Sequence, residues 1–461
     1  MSSPSPAPAA PAHADGLPVP RRYWAIAAII LAITMTVLDS TIVNVALPTL
    51  ARDFHTSNAA SVWVINSYQV AILIALLPLA ALGEIVGYRR VSQWGLAVFT
   101  VASLACAIAP TLGALGIARI VQGLGAAGVM SVNSALVRFT YPHSMLGRAI
   151  GINAFSVAVA AAIGPTVASA ILAVAQWRWL FAVNVPIGVL TIVVALYAWP
   201  ETERAHRQLN YGSVALQAGT FALLIGGMQA LAQDAITPLA FAEIAGGCIL
   251  GALLVRHEMS RDAPLIPFDL LRVRLFSLSV ATSVCSFMAQ TVGLVALPFE
   301  IQRVGHSAAM TGLLMTPWPV SVALAAPVAG RLADRYPAGI LGSVGLVAMG
   351  AGLTLVALFP ADGSPAQLVW RMALCGLGFG FFQAPNNRTL IGSAPRARTG
   401  AAGGMLATAR LLGQTLGAAS VAILFRAFPD KGSNLALSVA AAIAITAAVI
   451  SVSRLNTSAP A

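Results

Sequence analysis

Apolar runs about as long as a lipid bilayer is thick recur along almost the whole chain. A helix needs about 20 mainly apolar residues to cross the hydrocarbon of a membrane. Fourteen such runs can be marked, at residues 23–48, 60–82, 91–110, 113–137, 148–172, 179–198, 212–233, 238–256, 275–301, 308–330, 338–360, 365–387, 400–425 and 434–453. Lipid offers the backbone no hydrogen-bond partners, so runs of this length must become helices. The expected fold is an all-α polytopic membrane protein. Composition agrees: 58% of the 461 residues are hydrophobic and 9% charged, with a mean hydropathy of +0.84. That balance excludes a soluble domain with a solvated surface.

The chain carries 26 Lys plus Arg against 15 acids. In a soluble protein this excess would suggest nucleic acid, but here the charges sit in short loops between runs, so no nucleic-acid partner is expected. Eighteen basic residues, among them Arg21, Arg22, Arg89, Arg90, Arg204, Arg207, Arg396 and Arg454, fall in loops on the side of the N-terminus. Five fall on the other side, Arg52, Arg178, Arg303, Arg426 and Lys431, while Arg119, Arg371 and Arg410 lie within runs. The positive-inside rule then puts both termini in the cytoplasm of a bacterial-type cytoplasmic membrane. Trp24, Trp177, Trp179 and Trp199 mark run ends, where amphipathic rings favour the interface.

Cys106, Cys248, Cys285 and Cys375 show no metal-ligand spacing and the six histidines do not cluster. No cofactor, metal site, disulfide framework or enzymatic nucleophile is expected. Gly123, Gly125 and Gly128 fit a dinucleotide fingerprint in spacing alone; inside a membrane run they read as helix-packing residues.

An internal repeat divides the chain. Val45-Ala46-Leu47-Pro48 returns as Val295-Ala296-Leu297-Pro298, and Gly123-Leu124-Gly125 returns as Gly376-Leu377-Gly378. The expected division is a disordered tail at 1–20, a six-helix bundle at 21–200, a linker with an inserted two-helix hairpin at 201–265, a second six-helix bundle at 266–454 and a short tail at 455–461. Parallel bundles with a site at their interface near mid-bilayer are the architecture of secondary transporters.

Asp39 is the acid that must lie deep in a run, about sixteen residues into the first. An ionised Asp at the bilayer centre costs roughly 2.5–3.5 kcal/mol on insertion scales, so such groups are functional by default. Counted from the outer ends of their runs, Asp39 lies roughly 13 Å deep and Arg119 roughly 10 Å deep, so the two can meet. The arginine and the apolar surroundings act in opposite directions on whether the carboxylate holds a proton. The repeat places Ala289 opposite Asp39, so the carboxylate has no symmetric copy.

The segment Leu38-Asp39-Ser40-Thr41-Ile42-Val43-Asn44-Val45-Ala46-Leu47-Pro48 resembles the first-span motif of the fourteen-span drug:proton antiporter branch of the major facilitator superfamily. Leu82-Gly83-Glu84-Ile85-Val86-Gly87-Tyr88-Arg89-Arg90 resembles the superfamily's loop after span two, with Ala80, Glu84 and Ile85 departing from it; Gly330-Arg331-Leu332-Ala333-Asp334-Arg335 is a closer copy. Arg119-Ile120-Val121-Gln122-Gly123-Leu124-Gly125 matches the fourth-span motif, whose arginine is associated with proton transfer. Gly164-Pro165 matches the core of the antiporter motif, with Ala168 and Ser169 in place of trailing glycines.

The resemblance implies a proton-coupled multidrug exporter of amphipathic, cationic organic compounds working by alternating access, a monomer whose partners are a small-molecule substrate, protons and the bilayer. Two alternatives remain open: an exporter dedicated to one neutral or anionic metabolite, and a non-transporting membrane sensor or scaffold. Asp39 and Arg119 are the expected proton-coupling pair. Gly83, Glu84, Gly87, Arg89, Arg90, Gly164, Pro165, Asp334 and Arg335 are expected to gate. Candidate substrate contacts are Asp39, Trp63, Asn66, Tyr68 and Gln69, then Phe382, Gln383 and Asn386, with aromatic faces suited to organic cations. Glu300 reads equally as a solvated helix end or an outer lure for cations. Arg371 and Arg410 read as anion-binding groups or as partners of backbone carbonyls.

Overall fold

The structure is a computed structural model and describes residues 16–202, 209–233, 237–261, 266, 268–359, 364–395 and 398–456. Most of the two expected tails, and Arg204, Arg207 and Arg396, lie outside the described residues.

The described residues form helices, in chain order α1 (Arg21–Asp53), α2 (Asn58–Ser61), α3 (Trp63–Val86), α4 (Tyr88–Ala107), α5 (Leu112–Thr140), α6 (Leu146–Val174), α7 (Trp179–Ala182), α8 (Asn184–Ala198), α9 (Tyr211–Gln233) and α10 (Pro238–Met259). They continue with α11 (Arg274–Arg303), α12 (Ala308–Met315), α13 (Pro317–Leu332), α14 (Ala338–Ala357), α15 (Pro365–Gly392), α16 (Thr399–Ala427) and α17 (Gly432–Ser453). Twelve helical segments among the described residues are long and apolar enough to cross a membrane. The 20-residue α4 and the 28-residue α15 pack among them but fall outside that set. Arg89, Arg90 and Gln93 in α4, and Arg371, Asn386 and Arg388 in α15, give these two their more polar sequences.

The sequence repeat has a structural counterpart in α1–α8 and α11–α17. Ser57 and Ser307 each cap a short helix, accepting from the N–H of Ala60 and of Met310 at 3.1 Å. In α5, a Cβ on Gly123 would lie 2.5 Å from the Tyr68 carbonyl of α3, and one on Gly125 would collide with α4. Gly376 and Gly378 of α15 make the same close approaches to α13 and α14. Small residues allow backbones to meet where lipid supplies no hydrophobic drive between helices.

α1 and α11 run in the same direction and meet at their C-terminal ends, where Arg52 Nη2 donates to Gln302 Oε1 at 3.1 Å and Gln302 Nε2 to the Val45 carbonyl at 3.4 Å. Their N-terminal ends share the face that carries Leu17, bonded to the Thr140 carbonyl, and Arg454, bonded to Ser279. This is the terminal face; the opposite one is the far face. Toward the far face a single apolar core runs through both halves, with Leu47 and Leu50 joining Val295 and Leu297. Toward the terminal face each half has its own core, one around Ile29, Leu136 and Trp199, the other around Phe276, Leu390 and Met405, with Leu77 of α3 packed against the second. Two further hydrogen bonds join the halves, Thr166 Oγ1 with Thr316 Oγ1 at 2.7 Å and Ser169 Oγ with the Ala309 carbonyl. Among the described residues all four inter-half hydrogen bonds lie in the far half of the molecule.

The hairpin α9–α10 packs through α9 on α3 and α16. Gln217 Nε2 donates to the Leu73 and Ile74 carbonyls at 3.3 Å, and Arg426 Nη1 to the Leu231 carbonyl at 2.7 Å.

Candidate functional site

The close approach of α5 to α3 determines where Arg119 can reach. Gly116, Arg119 and Gly123 share one face of α5. A Cβ at Gly116 would lie 2.9 Å from the Trp63 indole nitrogen, and one at Gly123 2.8 Å from the Ala71 Cβ. Between these contacts the Arg119 guanidinium passes over the Tyr68 ring, 4.0 Å from its centroid, and its Nε donates to the Val64 carbonyl at 3.0 Å.

Arg119 Nη1 donates to Asp39 Oδ2 at 2.5 Å, and both side chains are 1% exposed. The other carboxylate oxygen, Oδ1, accepts from Gln122 Nε2 and from Asn184 Nδ2, each at 3.0 Å. Gln122 also accepts from Arg119 Nη1 at 2.6 Å and donates to Ser103 Oγ at 2.9 Å. The Tyr68 hydroxyl donates to the Thr36 carbonyl of α1 at 3.1 Å. Side chains from α1, α3, α4, α5 and α8 therefore converge on one compensated charge pair inside the N-terminal half. Burying two charges is offset only when geometry is good and the remaining lone pairs and protons are satisfied, which is the arrangement found. At the repeat-related position of α11, Ala289 is fully buried and carries no charge.

Gln122 and Asn184 were not singled out from the sequence. Gln122 carried a signal, since it follows Arg119 by three residues on one helix and so shares its face. Asn184 carried none: it opens α8 after the four-residue α7, within a run that read as uniformly apolar.

The other candidates are dispersed. Trp63 packs on Gly116; Asn66 is fully buried with neither amide atom hydrogen-bonded, and the Oε1 of Gln69 is likewise without a partner. Phe382 is fully buried inside the C-terminal half against Phe379, at 6.0 Å between ring centroids. Asn386 is also fully buried there, accepting from Arg454 Nη1 at 2.6 Å and donating to Ser283 Oγ at 2.7 Å, so neither residue lies on the seam between halves in this conformation. Gln383 is half-buried. Glu300 lies at the far face, bonded to Arg303 at 2.5 Å and to the Ser433 hydroxyl at 2.5 Å.

At the terminal face, Gly87 ends α3 with φ +100°, a conformation suited to glycine. Arg89 Nη2 caps α8 through the Leu196 carbonyl at 2.6 Å and lies 3.8 Å from Glu201. Gly83 packs on Val132 and Tyr88, Glu84 is half-buried, and Arg90 and Arg335 are exposed. Asp334 pairs with Arg388. On α6, a Cβ at Gly164 would overlap the Thr41 side chain of α1, and a Cβ on Gly312 of α12 would overlap the Pro165 carbonyl. Gly164 and Pro165 thus lie where α1, α6 and α12 meet. Arg371 stacks within its own half on Phe359 and Trp370, at 5.0 and 5.4 Å, with Nε and Nη1 not hydrogen-bonded.

Two repeat-related helical halves, with a buried ion pair at depth in one of them, are the architecture of a membrane transporter. The chain belongs to the Major Facilitator Superfamily, whose family model matches residues 29–418. It is 49% identical over 442 residues to the uncharacterized transporter YebQ of Escherichia coli, covering 95% of this chain and 97% of that protein. The riboflavin transporter RibZ of Clostridioides difficile is 28% identical over 409 residues, 88% of this chain and 89% of that protein. The multidrug resistance protein Stp of Mycobacterium tuberculosis is 32% identical over 397 residues, 84% of this chain and 73% of that protein. Among solved structures, a bacterial homolog of the human lysosomal transporter Spinster matches with a TM-score of 0.70 at 15% identity, over 95% of this chain and 98% of that one.

Proposed function

We propose that this transporter is a proton-coupled exporter of amphipathic organic compounds, of the fourteen-span drug:proton antiporter kind, in a bacterial cytoplasmic membrane. The observation that carries the reading is the Asp39–Arg119 pair, sealed among Gln122, Asn184 and Tyr68 at a depth where a carboxylate is costly without a purpose. Counting α4 and α15 with the twelve apolar segments gives fourteen spans, in bundles at 21–200 and 266–454 with the hairpin between them. The basic loops support a cytoplasmic terminal face. The inter-half hydrogen bonds of the described residues lie toward the far face, while toward the terminal face α3 and α16 meet only through apolar contacts such as Leu77 with Gly404; this supports an inward-facing conformation, and the protein works as a monomer.

In the proposed cycle Asp39 takes a proton from the far side and releases it to the cytoplasm when substrate binds. Protonation removes the acceptor charge that holds Arg119, Gln122 and Asn184 together, which frees α1 to move against α5 and α8 and loosens its contacts with α6 at Gly164. The terminal-face groups Arg89, Asp334 and Arg388, with Arg90 and Arg335, would re-pair in the opposite step, when substrate has displaced the proton and that face closes. Each inward charge draws about 2.3 kcal/mol per 100 mV, enough for roughly a fortyfold gradient. Similarity to the multidrug resistance protein Stp supports a role in drug resistance, and Asp39 is the group through which a cationic substrate would compete with the proton. In the inward-facing state its two oxygens are already taken by protein donors, so a cation must displace one of them to bind.

A second reading, an exporter dedicated to a single neutral or anionic metabolite, draws on Arg410 and on similarity to RibZ. Reconstituted vesicles with an imposed pH gradient separate the two: the first reading expects gradient-driven movement of ethidium that Asp39→Asn abolishes. Movement of ethidium undiminished in Asp39→Asn contradicts it.

A further inference from the structure

Arg410 stands near the middle of α16 and is half-buried. Its helix divides two neighbours. On one side a Cβ at Gly413 would strike the Val284 carbonyl of α11, and one at Gly417 would lie 2.8 Å from the Met288 carbonyl. On the other side a Cβ at Gly404 would lie 3.3 Å from Leu77 of α3, and Leu411 joins the core of Met35, Tyr68 and Leu73. At 100° per residue, Gly403, Arg410 and Gln414 fall on the arc between those two sides. Because α11 belongs to one half and α3 to the other, that arc opens on the seam. Leu411 shares a core with Met35 and Tyr68, so Arg410 lies at mid-depth in the molecule, as Asp39 does. A Cβ on Gly403 would meet nothing within 4 Å, so space leads from Arg410 toward the terminal face.

Among the described residues no hydrogen bond or ion pair engages Arg410, and none engages Gln414. The acids cannot supply one. Asp39 is occupied by Arg119, Gln122 and Asn184. Glu300 is at the far face with Arg303 and Ser433. Glu243 is on α10, which packs on α9 and not on the seam. A guanidinium at this depth with no protein counter-charge is unfavourable unless water or an anion joins it. Its fork of N–H donors matches the paired oxygens of an organic anion, a carboxylate or a phosphate.

We propose that Arg410, with Gln414 one turn away, seats an anionic oxygen group of the substrate, the class being amphipathic organic acids with a carboxylate on an apolar frame. The apolar frame lies along Ala407 of the same helix. The inference rests on the transport reading only for the substrate's place between the halves. It favours the second of the two substrate readings, so a preference for the anion would also count against a cation as the group that displaces the Asp39 proton.

The test is equilibrium binding by calorimetry to the purified full chain in detergent, using 1-naphthylacetate and 1-naphthylmethylammonium as probes that share a frame and differ in charge. The wild type is expected to bind the acetate at least tenfold more tightly. Arg410→Gln should lose at least tenfold for the acetate, about 1.4 kcal/mol, and change the ammonium by less than threefold; Arg410→Lys should keep part of the acetate affinity. The melting temperature adds a readout that a structural arginine would move the other way: Arg410→Gln should melt at or above the wild type, since it relieves an uncompensated charge. Acetate affinity in Arg410→Gln within twofold of wild type, no wild-type preference for the acetate, or a lowered melting temperature that Arg410→Lys restores would each overturn the proposal. Binding in detergent needs no proton gradient, so a failure of proton-coupled export would leave this result standing, and the converse.

Discussion

Replacing Asp39 by asparagine removes one negative charge from a place where three donors point at it. Arg119 Nη1, Gln122 Nε2 and Asn184 Nδ2 all donate to the carboxylate, at 2.5, 3.0 and 3.0 Å. Asparagine offers one acceptor oxygen, and its NH2 must then face at least one of those donors. Removing one partner of a buried pair leaves an uncompensated charge and costs about 3–5 kcal/mol. Arg119 keeps the Val64 carbonyl, Gln122 Oε1 and the Tyr68 ring, which places the expected loss near the lower end, about 3 kcal/mol. Arg119→Gln alone leaves the opposite uncompensated charge at similar cost. The double variant leaves neither, so its loss should fall short of the sum by at least about 2 kcal/mol. Reversible unfolding in mixed micelles, followed by tryptophan fluorescence and by exposure of the buried Cys106 thiol, which lies 3.4 Å from Gln122, measures all three. Losses that add to within about 0.5 kcal/mol would mean that the two charges do not stabilise each other, and the account of the site would fail.

Gly164→Val should disable transport while leaving α6 helical, because the new side chain must overlap Thr41; overpacking of this kind costs about 1–3 kcal/mol, and vesicle flux with circular dichroism checks it. Gln302→Ala removes bonds to Arg52 and Val45, each worth about 0.5–1.5 kcal/mol, and should raise far-side labelling of a thiol at Thr166→Cys severalfold; unchanged labelling would show that these bonds do not hold the far side shut. Asn386→Ala should destabilise the C-terminal half by about 1.5–3 kcal/mol through loss of the Arg454 contact, with substrate affinity unchanged; a selective loss of affinity would instead make it a substrate contact.

The helices were legible because the bilayer imposes a length on them, and the repeat was legible because the same close approaches recur, as at Gly123 and Gly376. Depth counting put Asp39 and Arg119 at compatible levels, since each is fixed by its distance along a helix from a known end. Counting along one helix cannot give the direction of a side chain on another. For that reason Phe382 and Asn386, read as lining residues, lie inside the C-terminal half, and Asn184 went unnoticed as a ligand of Asp39. Arg410 was ambiguous for the same reason: whether a mid-span arginine meets carbonyls or open space depends on the neighbours of α16, and Gly403, Gly413 and Gly417 reveal those only once α3 and α11 are placed.

The most direct test of the coupling mechanism is proton release from the purified transporter in weakly buffered detergent on adding a transported substrate, for wild type and Asp39→Asn. The account predicts that substrate displaces a proton from the wild type, and that Asp39→Asn releases none while still binding substrate. Equal release from both proteins would contradict Asp39 as the point where proton and substrate exchange.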